Sequence, residues 1–185
     1  MTARLLVVAA LSAIGCAHHE PAAGALAVPI ATRALTVDGA QEGPDWNQRA
    51  ARVVLAGGDG PARPFSDARF LRDDGALYVG LYAADEDVRS SDAFDVDLGE
   101  LALRVDVRGR VTPAVPGVKV AIDVDEETTI DRPDDFDEEW KVVLVVPQAA
   151  LGPHDGGTTA HVARCDTPKD GVTRCGAWSG RLALE

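Results

Sequence analysis

The chain carries 185 residues, a formal net charge of −12 at pH 7 and only 5% aromatic residues. Thirty acidic side chains against eighteen basic ones, with no basic patch that interleaves aromatics, argue against nucleic acid and anionic lipid surfaces as partners. Acidic balance names no partner by itself, because exported proteins commonly carry it for solubility.

The chain opens with one positive charge, Arg4, followed by the apolar run "LLVVAALSAIG" up to Gly15. That is the n-region and h-region of a secretory signal, and it is shorter than the roughly 20 apolar residues that span a bilayer. Gly15 and Cys16 end the run, and the stretch resembles the lipobox of bacterial lipoproteins, with Ala13 where Leu is usual three positions before the cysteine. The resemblance implies cleavage after residue 15, lipid on the Cys16 thiol and an acylated Cys16 amino group. It also implies the outer membrane, because Ala17 and not Asp follows the cysteine. An ordinary cleaved signal peptide is the alternative. Residues 16–33, rich in Ala, Pro and Gly and without helical or strand period, read as a tether. His18 and His19 fall in it as solvated residues, two adjacent histidines without further ligands being a poor metal site. The folded part is expected over 34–185, one domain with one core.

Within that domain the strand signals are period two. "ALYVGLYA" puts Leu77, Val79 and Leu81 on one face and Ala76, Tyr78, Gly80 and Tyr82 on the other. "ELALRVDV" sets Leu101, Leu103, Val105 and Val107 against Glu100, Ala102, Arg104 and Asp106. "VKVAIDVD" alternates from Val118 to Asp125, and "WKVVLVVP" is apolar on both faces from Val142 to Val146, as a doubly covered strand is. Turn clusters such as "GGDGP", "DDG", "RGR" and "HDGG" separate these runs, and no long stretch has a 3.6-residue period. The expected fold is all-β, an antiparallel β-sandwich in a single domain, with a helical turn around "DWNQRAA".

With Cys16 assigned to lipid, Cys165 and Cys175 remain as an even pair in an exported chain. Pro168 and a "DG" turn signal lie between them, so the segment doubles back and a disulfide is expected. Free or metal-binding thiols are the alternative.

Five segments in order, "LTVDG" with "PDW", "DDGALYVGLYAADEDV", "GELALRVDV", "EEWKVVLVVPQAALG" and "HVARCD" with Arg164, resemble the family 9 carbohydrate-binding modules and their DOMON-like relatives. The resemblance implies a non-catalytic β-sandwich that binds sugars, with structural calcium in some members and haem in some DOMON-like relatives. Val143 stands where the family usually has Glu in W-x-x-E.

Candidate glycan-binding residues are Tyr78, Tyr82, Glu100 and Arg104, which share a face if the strands of residues 76–83 and 100–107 are neighbours, together with Trp178. The alternative for that face is a half-covered sheet whose Arg pairs with Glu; Trp178 is equally placed to pack, and Trp46 and Trp140 read as packing residues. The acidic runs 92–100 and 125–139 offer the oxygens a hard cation such as Ca²⁺ requires, the favoured set being Asp95, Asp97, Asp134, Asp135 and Asp137; solvated acidic loops are the alternative. No G-x-S-x-G elbow, phosphate-cradling glycine loop or marked carboxylate pair supports catalysis. The functional expectations are a membrane-anchored module holding a polysaccharide or other glycan, a structural or protein-binding envelope lipoprotein that has lost the sugar site, and an electron-transfer module with haem on His154 and His161.

Overall fold

The computed structural model describes residues 24–58, 60–126, 128–132, 137–167 and 171–184. Cys16, His18, His19, Asp134 and Asp135 lie outside them. Thirteen strands run through the described residues: β1 (Ala25–Ala27), β2 (Ala51–Val54), β3 (Ala56–Gly57), β4 (Gly60–Pro61), β5 (Ser66–Arg72), β6 (Ala76–Ala84), β7 (Ala93–Leu98), β8 (Leu101–Asp106), β9 (Val111–Thr112), β10 (Lys119–Val124), β11 (Glu139–Pro147), β12 (Gly157–Asp166) and β13 (Arg174–Ala183). They form two sheets, β4-β3-β13-β12-β7-β8-β9 with β1 parallel to β13, and β10-β11-β6-β5-β2. All other pairings are antiparallel, so the fold is the β-sandwich the alternation predicts. No helix among the described residues is long and apolar enough to cross a membrane.

The core forms where the period-two residues of both sheets meet. Leu77, Val79 and Leu81 of β6, and Val142, Leu144 and Val146 of β11, face Phe94 and Val96 of β7, Val105 of β8 and Val162 of β12, all essentially without solvent exposure. Each such side chain stabilises the fold by about 1.5–3 kcal/mol through burial. Trp140 is fully buried against Phe94, ring centroids 5.1 Å apart.

The other face of β11 is covered too, as its continuous apolar run requires. The segment before β2, with a π-helical turn over Asp45–Arg49, lays Trp46 on Leu71 and Val143, and Leu35, Ala50, Tyr78 and Val145 close this second cluster. A Cβ on Gly80 would come within 2.8 Å of both Trp46 and the Gln41 amide oxygen, so the close approach requires glycine there. Val143, at the family's Glu position, is therefore a packing residue beneath Trp46.

Residues 24–33, expected to belong to the tether, join the domain instead. β1 adds to β13, Val28 enters the core, Ile30 bridges to Arg72, and the Thr32 hydroxyl donates to Asp45 at 2.9 Å. Too short to signal a strand by period, β1 gains its stability from an open sheet edge. The Cys165–Cys175 disulfide is present, joining two residues directly opposite each other on β12 and β13 with Cα atoms 4.0 Å apart.

Candidate functional site

The outer face of the five-stranded sheet is half covered by the Trp46 cluster, and what remains is polar. One cross-strand row there runs Asp123 (β10), Lys141 (β11), Tyr82 (β6), Asp67 (β5), and Arg69 sits one row away opposite Gly80. Together with Ala40, Gln41, Glu42, Asn47 and Glu139, residues Arg69, Tyr82 and Lys141 line a hollow of about 280 Å³. Lys141 Nζ lies 2.5 Å from Glu139 Oε1 and 3.7 Å from Asp123 Oδ2, and Arg69 Nε donates to Asp67 Oδ1 at 3.2 Å.

Electrostatics hold Tyr82, Glu139 and Lys141 in their ordinary charge states. Burial, joined by the neighbouring Glu139 carboxylate, pushes the Tyr82 hydroxyl up to about 12, so it stays a neutral donor. Burial raises Glu139, but Lys141 and Tyr82 outweigh it and leave the carboxyl below its usual value. Lys141, despite burial, is raised by Glu139 and Asp123. The hollow thus presents a guanidinium, an ammonium, a phenol and a carboxylate, a donor and acceptor set suited to hydroxyl groups.

Of the residues expected to bind glycan, Tyr82 alone lines this hollow. Tyr78 shares its sheet face, but its ring packs into the Trp46 cluster and its hydroxyl donates to Asp73 Oδ2 at 2.6 Å. Arg104 belongs to the opposite sheet and Glu100 to the turn between its strands β7 and β8: β6 pairs with β11 and β5, and β8 pairs with β7 and β9. Arg104 donates to Asp95 at 2.9 Å across the exposed face of that sheet. Trp178 is an inner-face residue packed on Phe70, ring centroids 5.8 Å apart. The hollow's charged lining was within reach of the sequence, since Glu139 and Lys141 alternate with Trp140 and Val142, but the apolar run after them masked it.

The described members of the expected calcium set, Asp95, Asp97 and Asp137, do not come together. Asp95 pairs with Arg104, and Asp97 stands opposite His161 on the outer face of the larger sheet. Asp137 is buried, and its carboxylate accepts the Val88 amide at 2.5 Å and the Thr129 amide at 3.2 Å. A different acidic group converges: Asp85 after β6, Asp92 before β7 and Asp166 at the end of β12 are buried, with one oxygen of each within 4.8 Å of the others. Arg164 enters this group on the inner face of β12, with Nη2 2.5 Å from Asp85 Oδ2 and 3.6 Å from Asp166 Oδ1. Burial pushes the Asp92 carboxyl up to about 7, with Asp85 and Asp166 adding to it, and burial together with Asp85 also raises Asp166. A charged residue in register with Ala160 and Val162 was the sequence signal for this group.

His161 donates to or accepts from Ser179 Oγ at 2.7 Å, in a shallow hollow with Asp97, Gly99, Thr159, Ala160 and Gly180. His154 does not line it, so the hollow does not fit a bis-histidine haem.

Neither a protein-family model nor a curated protein matches the chain. Solved structures do match, among them two of a family 9 carbohydrate-binding module from Caldicellulosiruptor kristjanssonii. The complex with cellotriose aligns over 86% of this chain and 93% of that one, with a TM-score of 0.60 and 13% identity. The complex with glucose aligns over 86% and 95%, with a TM-score of 0.60 and 14% identity. This chain therefore has the fold of the family 9 carbohydrate-binding modules.

Proposed function

We propose that the protein is a non-catalytic glycan-binding module held at the bacterial cell envelope by lipid on Cys16, outer membrane being the destination that Ala17 favours. The observation that carries the reading is the hollow of Arg69, Tyr82, Glu139 and Lys141 on the outer face of the smaller sheet, where a phenol meets several fixed hydrogen-bonding groups. The ligands of its fold neighbours, glucose and cellotriose, supply the chemical class. At about 280 Å³ the hollow falls just below the usual range of small-molecule pockets, which suits one sugar ring and its hydroxyls.

The test is binding of the purified protein to a broad panel of oligosaccharides and polysaccharides, followed by calorimetry on any ligand found. Saturable binding that falls at least tenfold in Tyr82→Ala and Lys141→Ala, and is unchanged in Arg104→Ala, is the expected result. Unaltered affinity in the first two variants would remove the hollow from the reading.

A second reading, a structural or protein-binding envelope lipoprotein, is favoured by the fate of the tryptophans. Trp46 and Trp140 are buried and Trp178 packs on Phe70, so none is free to stack on a sugar ring. Absence of binding across the panel supports that reading.

A further inference from the structure

We propose that β10 is a self-pairing edge: two copies of this chain join by antiparallel pairing of β10 with β10, about a two-fold axis at Ala121, so that the two five-stranded sheets become one. The dimer stands apart from the glycan reading and does not depend on it.

β10 closes one side of the smaller sheet and pairs with β11 alone. Six residues long and free of proline, it is the longest open edge among the described residues. The other edges are blunted. β4 and β9 have two residues each, β4 ending on Pro61 and β9 followed by Pro113, and β1 has three. β2 has four, and its one charge, Arg52, is already paired with Asp67.

Alternation places the hydrogen-bonding groups of β10. The Asp125 amide donates to the Glu139 carbonyl, which directs the odd-numbered residues toward β11 and the N–H and C=O of Val120, Ile122 and Val124 toward the open side. Among the described residues these groups have no backbone partner there. Gly39 packs on the Ile122–Asp123 peptide, where a Cβ would come within 2.4 Å, yet takes none of its hydrogen bonds.

Side chains select the partner. Val120, Ile122 and Val124 pack against the core, so Lys119, Ala121 and Asp123 stand on the outer face. Antiparallel pairing centred on Ala121 sets Lys119 of each copy opposite Asp123 of the other, and Val120 opposite Ile122. No other centre brings those charges together. Val120 and Ile122 then exchange N–H···O=C bonds, while Ala121 and the charged pairs take the non-hydrogen-bonded positions, where side chains come closest. Lys119 is exposed and has no ion-pair partner among the described residues. Asp123 is 39% exposed, with Lys141 Nζ at 3.7 Å on one side and its other side open to Lys119 of the second copy.

The two-fold axis stands perpendicular to the sheet, so both Tyr82 hollows open on the same side. Five strand spacings separate the two copies of β6, about 24 Å across the joined sheet.

Sedimentation velocity of the purified protein from micromolar to millimolar concentration, with hydrogen exchange at both ends of that range, tests the edge. Expected are a reversible monomer–dimer equilibrium and exchange of the Val120 and Ile122 amides that slows as dimer forms. Lys119→Asp and Asp123→Lys each set like charges opposite one another across the axis, and each is expected to weaken the dimer at least tenfold. An equimolar mixture of the two variants is expected to restore it, because one copy then carries two carboxylates and the other two ammonium groups at the facing positions. Lys119 is exposed, so Lys119→Asp keeps the fold and decides the matter alone if Asp123→Lys does not fold. A wild-type chain that stays monomeric at millimolar concentration would overturn the proposal. So would a dimer of unchanged affinity in Lys119→Asp, or one whose Val120 and Ile122 amides exchange at the monomer's rate.

Discussion

Arg164 and Asp85 form an ion pair at 2.5 Å between the two sheets, with side chains 2% and 1% exposed. Arg164 Nη1 also donates to the Ala84 carbonyl and the Ser66 hydroxyl, each at 3.3 Å, and its guanidinium lies 5.9 Å from the Trp140 ring centroid. One side chain from the larger sheet thus binds backbone, hydroxyl, carboxylate and aromatic groups of the smaller one. Arg164→Ala leaves three buried carboxylates without their cation, and the expected loss is about 3–5 kcal/mol. Urea unfolding monitored by tryptophan fluorescence checks it; a loss under about 1 kcal/mol would show the pair to be dispensable.

Gly80→Ala is the second prediction. The new methyl group would meet Trp46 and Gln41 at 2.8 Å, and the cover over β6 and β11 must shift to admit it. Overpacking of this kind costs about 1–3 kcal/mol. The same unfolding assay reads it, and pairing the change with Trp46→Leu should recover part of the loss, because the two act through one contact.

Alkaline titration reports on both tyrosines at once, since the chain has only two. Burial, with Asp73 accepting the hydroxyl proton, pushes Tyr78 up to about 12, and burial with Glu139 does the same for Tyr82. Unfolded tyrosine ionises near 10. A raised folded value means the neutral form is favoured by the fold, so this stability is fully present below about pH 10 and is lost as pH rises through about 12. Ultraviolet absorbance should show no phenolate step near pH 10 in the native protein and one in urea. A native step near 10 would contradict both environments.

Replacing Cys165 and Cys175 together by Ser opens a cross-link spanning ten positions. The chain-entropy account gives a loss of about 2–3 kcal/mol, measured by denaturant unfolding with and without reductant. Reductant should lower the wild-type midpoint and leave the double variant unchanged.

Lipid on Cys16 predicts that the protein expressed with its own leader incorporates labelled fatty acid and partitions into detergent, and that Cys16→Ser does neither. Release of an unlabelled, water-soluble wild-type chain would favour the ordinary signal peptide.

The sequence carried the sheets well because burial on one face writes itself as alternation. Leu77, Val79 and Leu81 turn inward as expected, and the unbroken run of β11 is covered on both sides. Strand order was a different matter. Alternation says which face a residue takes and nothing of which strand lies beside it, so Arg104 was grouped with Tyr82 although the two lie on opposite sheets. The acidic group of Asp85, Asp92 and Asp166 was hidden for the same reason: its members are separated along the chain and meet only when β6, β7 and β12 are stacked. Runs of carboxylates in one loop are conspicuous in the sequence instead, and Asp137, one described member of the late run, satisfies backbone amides.

The pairing of β1 with β13 sets a leash length. If lipid sits on Cys16, only residues 17–24 separate it from the first paired residue, Ala25. Eight residues extend to at most roughly 26–29 Å. The domain is then confined to a layer about as deep as a small protein is wide, and any glycan it holds must itself come that close to the lipid. Ala25 pairs on the larger sheet, whereas the Tyr82 hollow opens on the outer face of the smaller one, so lipid on Cys16 and a glycan in the hollow would engage different sheets.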